Sequence, residues 1–141
     1  MPALETFDYA VVRVVPRVER GEFINAGVIV SSARLGYLKA RVELDERRLS
    51  ALDPASDPAT VRRHLEAIPL ICEGGARAGP IGLLPPRARF HWLVAPRSTV
   101  IQTSPAHTGL CDDGDRMLLH LFETMVRVPN SEPRPDRRAG G

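Results

Sequence analysis

Residues Tyr9–Val30 read "YAVVRVVPRVERGEFINAGVIV". Two apolar runs, "YAVVRVV" and "AGVIV", stand on either side of a charged connection. Valine, isoleucine and tyrosine crowd both runs, and such side chains suit a pleated surface. A strand from Phe7 to Val15 places Tyr9, Val11, Arg13 and Val15 on one face. Ala10, Val12 and Val14 fall on the other. Ala26–Val30 reads as the second strand. Strands joined by a short connection pair antiparallel, because a parallel pair needs a long crossover. This hairpin sets the fold class, and everything downstream is read against it.

The third strand is "GYLKARVEL", in which Leu38, Ala40, Val42 and Leu44 alternate with Tyr37, Lys39, Arg41 and Glu43. "SSARLG" before it is a hairpin loop, with Gly36 supplying the turn. The pattern then changes. "DERRLSALDP" suits a short helix that ends before Pro54. "SDPATVRRHLEAIPL" begins a helix with Asp57 as N-cap and Pro58 at the first helical position. Val61, Leu65 and Ile68 follow at helical spacing, and Pro69 is expected to end or kink the helix. "CEGGARAGPIGLLPPRA" is a loop by composition. "ARFHWLVA" and "STVIQTS" read as two more strands joined by a tight corner, with Phe90, Trp92 and Val94 sharing a face. A last helix runs from about Asp113 to Arg127, its apolar stripe built from Met117, Leu118, Leu121, Phe122, Met125 and Val126. Pro129–Gly141, "PNSEPRPDRRAGG", has nothing to bury and is expected to be disordered.

The order is β-β-β-α-α-β-β-α. It predicts an α+β domain over residues 1–128, a mostly antiparallel sheet of about five strands with helices packed on one face. A chain of 141 residues is expected to be one domain, long enough to bury a core. No apolar run approaches the ~20 residues that cross a bilayer. "MPALETFDYA" has neither the basic nor the apolar region of a signal peptide. Cys72 and Cys111 make no disulfide framework, so a cytoplasmic protein with reduced thiols is expected. The formal net charge of +2 does not argue for nucleic acid. Lys39 is the only lysine among the 19 basic residues; coding bias explains this, or a need for arginine's planar fork toward carboxylate or phosphate.

Two segments depart from the core pattern. Arg13–Asn25 carries Arg13, Arg17, Glu19, Arg20, Glu22 and Asn25. Ala95–Cys111 carries Arg97, Ser98, Thr99, Gln102, Thr103, Ser104, His107 and Thr108. So many hydrogen-bonding side chains at strand ends either converge on a polar ligand or simply face water. If Arg13 is buried it needs a carboxylate, and Glu19, Glu22 or Asp8 could supply one; aim at an external anion is the other option. Cys111 with His107 is a weak candidate for a nucleophilic pair, since Cys111 precedes a helix N-terminus. Cys72, Cys111, His91 and His107 lack any metal-ligand spacing, so no metal and no cofactor is expected. The glycines of "CEGGARAGPIG" follow no strand, so a phosphate loop fails on context. Four Phe, two Tyr and one Trp are too few for a base-stacking platform.

The opening stretch, together with "RFHWLVAPRSTVIQTSPAHTGLC" (Arg89–Cys111), resembles the bacterial domain-of-unknown-function family 3037 from about Tyr9 to Val126. The resemblance implies a small cytoplasmic bacterial protein with no established activity. It also implies a genomic neighbour resembling the HipA-type kinases. The shared segments fall on Arg13, Pro16, Arg17, Glu19, Gly21, Glu22, Asn25 and Gly27, then Pro96, Arg97, Ser98, Gln102, Ser104 and Gly109. The family assigns no catalytic residue, so none is carried over.

The expectation is therefore a non-enzymatic accessory or binding domain. Arg13, Arg17, Arg20, Asn25, Arg97, Ser98 and Gln102 would hold an anionic group, on a small molecule or on a partner such as the kinase-like protein, with Glu19 and Glu22 orienting the arginines. The alternatives are a small hydrolase or transferase using His107 with Cys111 or Ser104, and a weak nucleic-acid binder. No membrane association is expected, and the oligomeric state is left open.

Overall fold

The computed structural model describes residues 3–127; the tail expected to be disordered, 129–141, lies outside them. The strands are β1 (Glu5–Val14), β2 (Ile24–Ser32), β3 (Tyr37–Val42), β4 (Ile101–Thr103) and β5 (His107–Cys111). The helices are α1 (Glu46–Leu52), α2 (Pro58–Glu73), α3 (Pro86–Val94) and α4 (Gly114–Met125), with two short 3-10 turns, Ala76–Ala78 and Pro80–Leu83, between α2 and α3. All strand pairings are antiparallel. The α+β class and the five-stranded antiparallel sheet are those the strand patterning predicts.

The sheet is built around β1. One edge of β1 pairs with β2, which pairs with β3. The other edge is shared: Val12–Val14 pair with β4, and Glu5–Tyr9 with β5. Ser104 bridges the change of partner. Its N–H donates to the Val11 carbonyl at 2.8 Å, and its Oγ accepts from the Val11 N–H at 2.9 Å. One buried residue thus completes the ladder where a strand would have to break. A bulge at Val12/Arg13 inserts Ala26 into β2, so that Arg13 stands opposite Asn25.

Helices cover both faces of this sheet. Val12, Val14, Ile24, Ile29 and Leu38 pack against Leu49 of α1, Leu65 and Ile68 of α2, and Phe90 and Leu93 of α3. Phe7, Val28 and Val30 pack on the opposite face against Leu118, Leu121 and Phe122 of α4. Packing on one face therefore holds for α1, α2 and α3, while α4 takes the other. The cause is visible in β1, whose two alternating sets are both apolar and both need cover. Gly114 lets α4 approach closely: a Cβ there would lie 2.8 Å from the Phe7 and Tyr37 rings.

Four local expectations differ from the structure. "ARFHWLVA" is helix, not strand. Pro86 occupies the first turn, and Arg89, Phe90 and Leu93 are buried at three- and four-residue spacing. Trp92 is 41% exposed where Phe90 is 1%, so the alternation does not hold. The run "STVIQTS" forms strand only over Ile101–Thr103. His107–Cys111, read as loop, is β5, an edge strand held mainly by its backbone ladder and so without an apolar signal. Pro69 does not end α2, which continues to Glu73 and buries Ile68 and Cys72 on either side of it.

Arg89 is 7% exposed and faces no carboxylate. Its guanidinium donates to the carbonyls of Ile71 (2.8 Å), Cys72 (2.6 Å) and Leu84 (2.9 Å). Two of these are the orphan carbonyls at the negative end of α2, where a cation is favoured. Replacing Arg89→Leu strands them, and urea titration should show a loss of about 2–4 kcal/mol. Arg89→Lys should recover only part of it, because a single ammonium cannot span the three acceptors.

Candidate functional site

Where the edge strand β4 meets α2 and the end of α3, the sheet face carrying α1–α3 opens into a cleft of about 630 Å³. His64, Ala67 and Ile71 reach it from α2 at helical spacing, one stripe over from the core positions Val61, Leu65 and Ile68. Trp92 and Leu93 close it from α3, Val100 and Ile101 form its floor, and Val18 touches it from the β1–β2 connection. The lining is largely apolar. Arg63, Arg97, Ser98 and Thr99 are its polar rim.

Arg97 has a structural task here. Its guanidinium donates to the Leu93 carbonyl at 3.0 Å and to that of Trp92, capping α3, and lies 4.4 Å over the Trp92 ring. Arg63 bonds only to the Thr60 hydroxyl, at 3.2 Å. Neither arginine is ion-paired among the described residues. Gln102 donates to the Thr99 carbonyl at 2.9 Å, and the Thr99 hydroxyl to the Ile101 carbonyl at 2.8 Å, which stiffens the approach to β4. Ser98 is exposed.

The two polar segments do meet. Arg13 pairs across the sheet with Gln102, and Val15 N–H reaches the Val100 carbonyl at 2.7 Å. Their side chains nevertheless divide among three places. Arg97, Ser98 and Gln102 belong to the cleft. In the β1–β2 connection Arg17 lies 3.6 Å from Asp53, Arg20 is bonded to Glu22, and Glu19 is exposed. Arg13 and Asn25 sit on the α4 face, where the Asn25 amide donates to the Met125 carbonyl at 3.0 Å. Among the described residues no carboxylate meets Arg13, contrary to expectation. Its guanidinium instead stacks 4.2 Å over Phe23, and its Nε, like the Asn25 Oδ1, is buried without a partner among the described residues.

The weak catalytic candidates are also placed. His107 and Cys111 lie on β5, and four residues of strand separate them by roughly 13 Å. His107 packs beside Tyr9, with ring centroids 5.3 Å apart. The Ser104 Oγ accepts from Val11 and donates to the Pro105 carbonyl at 2.9 Å, so its hydrogen bonds are structural. Among the described residues no three His, Cys, Asp or Glu side chains group as a metal site requires.

Asp8 belongs to a cluster the residue pattern did not reveal. It accepts from Arg87 at 2.6 Å and from Thr108 at 2.7 Å, and Arg87 also donates to the buried Ser31 at 3.1 Å. The cluster ties α3 to β1, β2 and β5. Burial alone would raise the Asp8 carboxyl. Hydrogen bonds from Thr108 and Arg87, with the nearby charges of Arg87 and His91, outweigh it and hold Asp8 below the usual aspartate value. Nothing in "PPRARF" could have signalled this pairing, because Arg87's partners, Asp8 and Ser31, are 79 and 56 positions away.

The family model described as protein of unknown function (DUF3037) matches residues 9–126. No curated protein and no solved structure matches the chain.

Two outcomes follow from these environments. A carboxyl depressed in the folded state stabilises above its unfolded value, near pH 4, and that stability is lost as pH falls through the folded value. Acid titration of stability should therefore be steeper below about pH 4 in the parent than in Asp8→Asn. Burial pushes the Cys72 thiol up to about 12. Disulfide-exchange reagents should therefore label the half-buried Cys111 in the native protein, and Cys72 only after unfolding.

Proposed function

The chain belongs to the DUF3037 family, whose function is unknown, and we propose that its role is binding rather than catalysis. The cleft between α2, α3 and β4 takes a ligand with an apolar body and an anionic group. One juxtaposition carries this reading: Arg63 and Arg97, neither ion-paired among the described residues, stand on the rim of an apolar hollow large enough for a small molecule or a few side chains. An arginine fork at such a place suits carboxylate or phosphate.

The anion is therefore met by Arg63 and Arg97, with Ser98 and Gln102 beside them. The early residues Arg17, Glu19, Arg20 and Glu22 shape the neighbouring connection, while Arg13 and Asn25 brace the opposite face. The protein acts as an accessory domain in the bacterial cytoplasm, a compartment with which its two free thiols agree. The kinase-like neighbour implied by the family resemblance is the partner we propose for it. No helix among the described residues is long and apolar enough to cross a membrane.

Trp92 is the sole tryptophan and lines the cleft, so its fluorescence reports occupancy. Anilinonaphthalene sulfonate, an apolar ring system with one anionic group, should bind saturably and change Trp92 emission. Ala67→Phe puts a ring into the cleft from an exposed position, and Arg63→Glu reverses the charge. Each should weaken binding by about fivefold, as expected for losing one exposed ionic contact or its equivalent in apolar contact. Binding unchanged by both substitutions, or none at all, would reject the cleft as the site.

A further inference from the structure

β4 is the outermost strand on its side of the sheet. Its inner edge is engaged with β1. The Ser104 N–H reaches the Val11 carbonyl at 2.8 Å, and the Val100 carbonyl accepts from Val15 at 2.7 Å. Antiparallel ladders alternate, so residues 100, 102 and 104 face β1 and the backbones of Ile101 and Thr103 face outward. Among the described residues no group accepts from the Ile101 or Thr103 N–H, and none donates to the Thr103 carbonyl. The Ile101 carbonyl takes the Thr99 hydroxyl. Pro96 and Pro105 bracket the strand and confine the open edge to this short window.

The same residues, Ile101 and Thr103, line the cleft. A bare strand edge beside a groove walled by a helix is the arrangement in which an extended segment adds to a sheet. Main-chain bonds hold such a segment, and pockets accept its alternate side chains. We propose that cleft and edge form one site for an extended, acidic segment of a partner protein. The segment pairs with β4 as an added strand and seats apolar side chains against Ile68, Ile71 and Trp92. Its carboxylates meet Arg63 and Arg97, the charge complementarity that selects an acidic occupant. This rests on the cleft being the binding site and goes further in naming what fills it.

The probe is a short acetylated peptide alternating valine and glutamate, titrated against the whole chain. It should change Trp92 emission saturably and slow amide exchange at Ile101 and Thr103. N-methylating the peptide amides that face β4 should weaken binding by about tenfold or more, since the main-chain bonds are lost and the groups left unpaired. Thr103→Pro removes an outward N–H without touching the bonds to β1, and proline is tolerated there. It should abolish peptide binding; dye binding is read on the unsubstituted chain, whose cleft lining is untouched. Dye binding without peptide binding, or equal binding of the N-methylated peptide, overturns the added strand and leaves the cleft standing. Failure of both ligands rejects both. Should Thr103→Pro not fold, the N-methylated peptide decides alone. Sedimentation showing a dimer that Thr103→Pro dissolves would make a second copy of this chain the occupant, and the acidic partner would be wrong.

Discussion

Strand β1 has no free edge and no free face, and the rest of the molecule is arranged around that fact. Its hydrogen bonds are shared among β2, β4 and β5, and its side chains are buried beneath α1–α3 on one side and α4 on the other. Burial on both faces removes from water a large share of the chain's aliphatic area, the main favourable term in folding. It also demands that every polar group of the strand be met. Ser104 does this at the junction of β4 and β5, with its backbone and hydroxyl standing in for the missing ladder. A serine there is a condition of the sheet, which accounts for its appearance among polar residues that simple core packing would not require.

The same logic explains how this chain uses arginine. Arg89 and Arg97 cap helix C-termini with a planar fork that reaches more than one carbonyl. Arg87 fastens α3 to the sheet through Asp8 and Ser31. Arg41 and Arg127 lie over Phe122, at 4.3 and 5.3 Å, and Arg13 lies over Phe23. Lysine, with a compact and strongly hydrated charge, substitutes poorly at such places. Against this background Arg63 is notable because it has no comparable structural task. Its position beside an apolar hollow and an open strand edge gives the binding reading its footing.

The cleft inherits its form from the edge of the sheet. β4 is short because the chain arrives from α3 through a proline-bounded connection and turns away again at Pro105. The bulge at Val12/Arg13 increases local twist at this end. A cleft at that location needs no special residue to make it. What stands on its rim, Arg63 and Arg97 among others, is basic.

Much of this was legible in the order of residues. The three-stranded start, the cap at Asp57, the stripe of α4 and the α+β class all rest on local periodicity, and short-range sterics and burial enforce such patterns wherever they occur. The segments of interest, Arg13–Asn25 and Ala95–Cys111, were also legible as departures from that pattern. Their side-chain partners were not. Arg13 meets Phe23 rather than a carboxylate, Asp8 finds Arg87 on the other face, and β5 forms from residues with hardly any apolar signal. These outcomes depend on which strands become neighbours and which way a bulge turns a side chain. Local sequence specifies the elements because backbone geometry is local. Only the assembled sheet, by bringing residues 10 to 100 positions apart into contact, decides which charges are paired and which are left at the mouth of the cleft.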